Sequence, residues 1–190
     1  MGKVALIVVD VQRDFCAGGT LAASDTPSLL EPLQDCIGAA RRMGAVIVFT
    51  QDWHPANHCS FKPNGGPWPV HCVANTPGAE LMPPLRAAAG DVMIHKGVTV
   101  DGPGYSGFDA TGLLEQLRRL QIEHVGIAGI ATEYCVRATA LDAVKAGFNT
   151  AVLTEMIRAV QVGETEKILA ELEKAGVERV ASAKWMKRLT

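Results

Sequence analysis

The sequence lacks any apolar run of the roughly 18 residues that are needed to cross a bilayer. The first apolar segment, ALIVV, ends at Asp10 before it could serve as the core of a signal peptide. The sequence also lacks a basic stripe, because its 18 Lys and Arg residues are scattered and the net charge is -2. We therefore expect a cytoplasmic protein that neither inserts into a membrane nor binds nucleic acid.

Cysteine pairs and flexible linkers are absent as well. The five cysteines are odd in number, unevenly spaced and without a C-x-x-C pair, which favours free thiols in a reducing compartment. No Gly/Ser-rich or strongly charged stretch divides the 190 residues, of which 48% are hydrophobic. This composition predicts a single domain over residues 1–190, built around one sizeable core.

What is present is an alternation of short apolar, β-branched runs with segments of helical period. Runs such as VALIVV and AVIVF are continuous rather than alternating, which is typical of strands that are buried on both faces. Gly44, Gly147 and Gly176 each lie between a helical segment and a strand, where a left-handed turn can end the helix. We predict an α/β fold with three layers, αβα, around an open sheet of about six parallel strands.

Two segments interrupt this alternation. Residues 52–84 form a long loop rich in Pro, Gly, His and Trp, and loops of that length in compact domains usually carry function. The second, at residues 98–108, contains a G-x-G-x-x-G pattern at Gly102, Gly104 and Gly107. A dinucleotide site is disfavoured there, because Pro103 removes a backbone N–H that a phosphate would need and the preceding strand ends too early.

Asp10, Asp52, Lys96 and Cys135 each end or directly follow an apolar run. Each one alone has an ordinary structural explanation, as a turn residue, a solvated lysine or a buried thiol. Because carboxyl ends of parallel strands share one edge of a sheet, the four are expected to meet there as nucleophile, acid/base and electrophile. At the switch from strand to helix, unpaired amides are expected to lower the pKa of the Cys135 thiol and to hold an oxyanion.

A candidate metal site lies in the long loop. Asp52 and His54 are two residues apart, so extended backbone places both side chains on one face, and His71 could add a third ligand. This ligand set suits zinc, manganese or iron(II) and leaves positions open for water or substrate. Adding His58 and Cys59 would instead make a closed structural zinc site, which ranks lower because no second cysteine has the usual spacing.

Six segments carry a family resemblance over nearly the whole chain. They are, in order, ALIVVDVQRDF, FTQDWHPANHCSF, GGPWPVHCV, HKG, DGPGYSGF and GIATEYCVRATALDA. Together they resemble the nicotinamidase/pyrazinamidase group of the isochorismatase-like cysteine hydrolases. The resemblance implies an isochorismatase-like fold and an amidohydrolase of linear amides. Such an enzyme converts nicotinamide, and also pyrazinamide, to nicotinate and ammonia through a cysteine thioester, in NAD salvage.

The same resemblance implies a role for each matching residue. The catalytic triad is expected to be Asp10, Lys96 and Cys135, and the ligands of one divalent metal ion Asp52, His54 and His71. Zinc is the first expectation for that ion, with manganese or iron as alternatives. The substrate pocket is expected to contain Phe15, Leu21, Trp68, Tyr105, Ile130 and Ala131. The amides of Ala131 and Cys135 would hold the oxyanion, with a cis peptide between Ile130 and Ala131, while His58 and Ser60 stay unassigned.

Two other functions remain open at this stage. The first is another isochorismatase-like amide hydrolase, of the carbamoyl-amide type, although the D-x-H pattern with a later His favours the nicotinamidase branch. The second is a non-catalytic, metal-stabilised protein in which Cys135 senses redox state, although a sensor needs neither Asp10 nor Lys96. The expected partner is a small aromatic amide, and a homo-oligomer is compatible with the sequence.

Overall fold

A computed structural model describes residues 2–189 of the chain. The strands are β1 (Lys3–Val9), β2 (Val46–Asp52), β3 (Val92–Lys96), β4 (Ile122–Ile130), β5 (Asn149–Arg158) and β6 (Glu178–Val180). The helices are α1 (Pro27–Arg42), α2 (Leu113–Arg119), α3 (Arg137–Lys145), α4 (Thr165–Lys174) and α5 (Ser182–Met186). A π-helical turn, Thr132–Val136, precedes α3, and short 3-10 turns interrupt several of the loops.

The strands form a single sheet in the order β3-β2-β1-β4-β5-β6, and every neighbouring pair is parallel. The predicted open α/β fold with six parallel strands is therefore confirmed. The chain proceeds outward from β1 in both directions, so the strand order reverses between β1 and β4. In open α/β sheets, the crevice at such a reversal is where ligands bind.

Both faces of the sheet are covered, which explains the continuous apolar strands. Leu6 faces an apolar layer that includes Ile37 of α1 and Trp185 of α5. Ile7, the next residue of β1, faces the opposite layer, which includes Leu117 of α2 and residues of α3 and α4. Because successive side chains of a strand point to opposite faces, every position of a doubly covered strand must be apolar.

The helices differ from the predicted segments at both ends of the chain. Helix α1 begins at Pro27, whereas the helical period of the segment LQDCIGAARRMG predicts a start at Leu33. Proline suits a first helical turn, but Pro32 lies inside the helix and removes one backbone donor there, which hides the helix from a periodicity argument. The short helix α5 was not predicted, and it buries the side chain of Trp185 completely.

Three glycines end helices as predicted. Gly44, Gly147 and Gly176 have φ values of 85°, 92° and 96°, in the left-handed region that a residue with a Cβ avoids. None of the helices in residues 2–189 combines the length and the apolar character that crossing a bilayer requires.

Candidate active site

The carboxyl edge of the sheet collects the polar residues that end the apolar runs. Asp10 follows β1, Asp52 ends β2, Lys96 ends β3 and Cys135 lies in the π-helical turn after β4. All four side chains are buried, and Asp52 and Lys96 face each other in the register of β2 and β3. The prediction that they share one edge is confirmed, and this edge includes the reversal point between β1 and β4.

Lys96 lies at the centre of this group. Its ammonium donates to Asp52 Oδ1 at 2.5 Å, to the Gly104 carbonyl at 2.9 Å and to Cys135 Sγ at 3.3 Å. Asp10 Oδ2 is 2.8 Å from Lys96 Nζ, so these two side chains form a buried ion pair at hydrogen-bond distance.

The buried charges change each other's protonation. Burial raises the pKa of Asp10, with a further contribution from the negative charge of Asp52, while Lys96 and a 2.6 Å hydrogen bond from Thr50 Oγ1 oppose it. Burial alone would lower the pKa of Lys96, but Asp10 and Asp52 outweigh it and raise that pKa well above its usual value. Lys96 therefore stays charged, and Asp10 is a better proton acceptor near neutral pH than an exposed aspartate.

The pKa of the Cys135 thiol differs from the prediction made from the sequence. Burial raises its pKa well above the usual value, and the nearby carboxylates raise it further, although the Lys96 ammonium opposes both. The expected lowering of this pKa is wrong for the free site, because the loss of hydration outweighs one cation and a helical turn. Cys135 is thus a protonated thiol that needs a proton acceptor when it attacks.

The backbone around Cys135 forms one wall of the site. The peptide bond between Ile130 and Ala131 is cis, as expected. The Ala131 carbonyl accepts the backbone N–H groups of Tyr134 and Val136, each at 3.1 Å. Both Ala131 and Cys135 line the adjacent pocket. The side chain of Ile130, by contrast, is fully buried in the apolar layer beneath the sheet and is not part of the pocket wall.

Asp52, His54 and His71 bring three potential ligand atoms within 4.8 Å of one another. The Nε2 atom of His54 is 3.3 Å from Asp52 Oδ2, and that of His71 is 3.9 Å from the same oxygen. Asp52 thus uses one carboxylate oxygen toward these histidines and the other toward Lys96. The predicted ligand set is brought together, and it shares a residue with the lysine cluster.

The hydrogen bonds of the two imidazoles test whether this set fits a metal ion. Nδ1 of His54 lies 2.9 Å from the carbonyl of Gly97, and Nδ1 of His71 lies 2.8 Å from that of Pro69. A carbonyl can only accept, so each Nδ1 is assigned the proton, and in the neutral form each ring would direct an Nε2 lone pair toward Asp52. Burial also lowers the pKa of His71, which favours this neutral form. Two lone pairs and a carboxylate converge, and they can hold a divalent metal ion.

His58 and Cys59 do not join this set. Both ring nitrogens of His58 are already bonded, Nδ1 to Ser60 Oγ at 2.7 Å and Nε2 to the Gly102 carbonyl at 2.8 Å. Within residues 2–189, the group of potential ligands that contains His54 includes neither His58 nor Cys59. The alternative of a closed structural zinc site is therefore not supported by the geometry.

A pocket opens over the thiol and the ligand set. Its wall contains five of the predicted substrate residues, namely Phe15, Leu21, Trp68, Tyr105 and Ala131. It also contains Ser60, which the sequence left unassigned, and three residues that sequence reasoning missed, Pro103, Tyr134 and Val160. Tyr134 directly precedes Cys135, a position that could have suggested it, whereas no signal marks Val160. The wall is tied together by a 3.0 Å hydrogen bond from Trp68 Nε1 to Tyr105 Oη.

The open parallel sheet, with a buried thiol, a carboxylate and a lysine where its strand order reverses, places this protein among the isochorismatase-like α/β proteins. The chain belongs to the isochorismatase family, because the model of the isochorismatase domain matches residues 4–184. A nicotinamidase/pyrazinamidase of Mycobacterium tuberculosis is 40% identical over 185 residues, which are 94% of this chain and 99% of the relative.

Two solved structures are similar over nearly their whole length. A pyrazinamidase of Pyrococcus horikoshii in complex with zinc is 44% identical, with a TM-score of 0.91 over 94% of this chain and 99% of its own. A protein of L. infantum in complex with nicotinate is 38% identical, with a TM-score of 0.85 over 96% of this chain and 94% of its own.

Proposed function

We propose that this protein is a nicotinamidase, which hydrolyses nicotinamide to nicotinate and ammonia, and that it also accepts pyrazinamide. The observation that carries the proposal is that the Cys135 thiol and the Asp52–His54–His71 set open into one pocket with aromatic walls. The relatives named for nicotinamide and pyrazinamide hydrolysis support the same substrate class. The reaction would recover nicotinate for NAD salvage.

The substrate is a small aromatic amide. Phe15, Trp68 and Tyr105 offer apolar surface for a flat ring, and the thiol and the ligand set line the same pocket. We assign zinc to Asp52, His54 and His71, in keeping with the zinc complex of the Pyrococcus neighbour, while manganese and iron(II) suit the same ligands. Bound there, the ion supplies a Lewis-acidic anchor for the ring nitrogen.

In the first half of the reaction, Cys135 Sγ attacks the carboxamide carbon and Asp10 takes the thiol proton. Lys96 supports this transfer, because its positive charge lies between the forming carboxylic acid and the sulfur. The backbone N–H groups of Ala131 and Cys135 are proposed to hold the oxygen, which gains negative charge. Asp10 then returns its proton to the nitrogen as ammonia leaves, and a thioester remains on Cys135.

In the second half, a water molecule replaces ammonia. Asp10 takes a proton from this water as the oxygen attacks the thioester carbon, and the same amides hold the second oxyanion. Collapse of that intermediate breaks the bond to sulfur and Asp10 returns its proton to Cys135. Nicotinic acid leaves and gives its proton to the released ammonia, which yields nicotinate and ammonium. The raised pKa of Asp10 suits a group that must accept and return a proton twice in each cycle.

The test is ammonia release from nicotinamide and pyrazinamide by metal-loaded protein. We expect release by the wild type, loss of release on treatment with a chelator, and no turnover by Cys135→Ala. The Cys135→Ala protein should still bind one metal ion, because Cys135 lies outside the Asp52–His54–His71 set. Metal-loaded wild-type protein that releases no ammonia from either amide would exclude the proposed function.

A redox sensor fits the site less well. A sensing thiol needs access to oxidants and a low pKa. Cys135 is only 6% exposed, and burial raises its pKa. Its contact with Lys96 and its side-chain hydrogen bond with Asp10 are what an acid/base mechanism requires instead.

A further inference from the structure

The loop between β3 and α2 contains the G-x-G-x-x-G pattern, at which a dinucleotide site is disfavoured, so its glycines need another explanation. We call residues 97–107 the glycine loop. Three of its glycine carbonyls accept hydrogen bonds from buried side chains of the site: Gly97 from His54, Gly102 from His58 and Gly104 from Lys96. These distances are 2.9, 2.8 and 2.9 Å. One loop therefore holds a candidate metal ligand and the central lysine at once.

Two of these glycines leave no room for a side chain. A Cβ atom on Gly97 would lie 2.4 Å from Cε1 of His54, and one on Gly104 would lie 2.4 Å from Cα of Gly97. Both residues also have positive φ angles, 61° and 64°, which favour glycine. The far atoms are a packed imidazole and the backbone itself, so neither contact can be relieved by a flexible side-chain end.

The loop is also anchored to the element that carries the nucleophile. The N–H group of Gly107 donates to Thr139 Oγ1 at 2.9 Å, and Thr139 lies in α3, directly after the turn that contains Cys135. The Val100 carbonyl accepts the N–H of Cys59 at 2.8 Å, which ties the loop to the segment beyond His54. The glycine loop thus contacts the chain on both sides of the pocket.

We propose that Gly97 and Gly104 are positioning residues that set the metal ligand His54 and the Lys96 ammonium relative to each other. Their packed backbones orient the carbonyl that selects the His54 tautomer and the carbonyl that accepts from Lys96. Partners of this kind, which act on a metal through its ligands, typically change metal affinity by about 10–100-fold when they are altered. This inference rests on the proposed function only where it gives the metal a role in catalysis. The contacts of the glycine loop with His54 and Lys96 do not depend on that function.

The experiment compares Gly97→Ala and Gly104→Ala with Gly112→Ala. Gly112 is a matched control, because its φ of 74° imposes the same backbone strain while nothing lies within 4 Å of an added Cβ. Zinc affinity is measured by competition with a chromogenic chelator, beside the thermal unfolding of the metal-free proteins. We expect zinc affinity to fall by about 10–100-fold in the first two variants and to remain at the wild-type value in Gly112→Ala.

Equal zinc affinity in Gly97→Ala and Gly112→Ala would overturn the inference. If Gly97→Ala does not fold, the double variant Gly97→Ala/His54→Ala tests the inference, because it lacks the imidazole that the added Cβ would contact. Folding of the double variant supports the inference, and its failure to fold where His54→Ala alone folds overturns it. Wild-type protein that binds zinc but releases no ammonia from nicotinamide would exclude the proposed function and leave the affinity comparison intact.

Discussion

At the scale of the residue, Lys96 joins the thiol chemistry to the candidate metal site. Its ammonium contacts Asp10 on one side and Asp52 on the other, and Asp52 continues to His54 through its second oxygen. Because little water screens this region, a change in any one of these charges alters its electrostatic interaction with the others. The two halves of the site are electrostatically one unit.

The first prediction concerns Thr50, whose hydroxyl donates to Asp10 and stabilises its ionised form. In Thr50→Val this hydrogen bond is lost, so the pKa of Asp10 rises further. If Asp10 must be ionised to accept the thiol proton, the acid limb of the pH profile of kcat/KM moves to higher pH. Ammonia release measured across the pH range gives this profile.

A buried threonine away from the site serves as the control. Thr150 lies in β5 and donates to the Phe148 carbonyl, so Thr150→Val removes a hydroxyl of the same kind without touching Asp10. Its acid limb should coincide with that of the wild type. An acid limb of Thr50→Val that stays in place or moves to lower pH would contradict the proposed role of Asp10.

The second prediction concerns the metal ligands. His54→Ala or His71→Ala removes one of the three proposed ligands, and we expect each purified variant to contain far less than one metal ion per chain and to release little ammonia. His124→Ala is the control, because His124 lies in β4 away from the ligand set. Elemental analysis of the purified proteins checks this, and a full metal complement in His54→Ala would show that the ligand assignment is wrong.

At the scale of the element, short backbone contacts bring His71 back to His54 after a long excursion of the chain. His54 and Val73 form an isolated parallel bridge, in which the N–H of His54 donates to the Cys72 carbonyl at 3.0 Å. Asp14, from the turn after β1, accepts the N–H of Cys72 at 2.7 Å. The long loop is therefore ordered next to the site by ladder-type hydrogen bonds rather than by a regular strand.

The third prediction concerns the packing of α5 on β4. A Cβ atom on Gly126 would lie 2.4 Å from Cε2 and Cζ2 of Trp185, a fully buried ring with no space to move into. Gly126→Ala should therefore destabilise the protein by about 1–3 kcal/mol, the usual cost of overpacking a core. Urea unfolding followed by tryptophan fluorescence measures the change.

Gly163→Ala provides the comparison for this substitution, because nothing lies within 4 Å of an added Cβ at Gly163. Its free energy of unfolding should stay close to that of the wild type. If Gly126→Ala is as stable as Gly163→Ala, then Trp185 does not pack against β4 as described.

At the scale of the whole molecule, the candidate metal site connects parts of the chain that are distant in sequence. Asp52 ends β2 and His54 lies two residues beyond it, whereas His71 lies 17 residues further along the long loop, and these segments meet only in the folded chain. An ion bound to all three stabilises the folded state, because the unfolded chain does not hold the ligands together.

The fourth prediction follows from this linkage. Removal of the metal with a chelator should lower the melting temperature, since free metal at about 100 times its Kd contributes about 2.7 kcal/mol to stability. Differential scanning calorimetry with and without chelator measures the shift. His54→Ala should melt at the same temperature in both conditions, and a chelator effect of equal size in this variant would place the stabilising metal elsewhere.

The sequence by itself determined the sheet and the identity of the residues at its edge. Six apolar runs predicted six strands, because local periodicity reports burial on both faces, and parallel strands necessarily bring Asp10, Asp52 and Lys96 to one edge. The residue pattern offered His71 as a third ligand, and the family resemblance added the cis peptide before Ala131; the structure places His71 beside Asp52 and His54 and contains the cis peptide.

The chemistry of these residues, in contrast, depends on the tertiary structure. The raised pKa of Cys135 depends on how deeply the surrounding segments bury it, and the exclusion of His58 depends on a carbonyl of the distant glycine loop. Val160 in the pocket wall and Trp185 beneath β4 also reach their places through contacts between segments far apart in the chain. Local pattern cannot encode such contacts, because pKa, tautomer and pocket shape are set by neighbours in space rather than by neighbours in sequence.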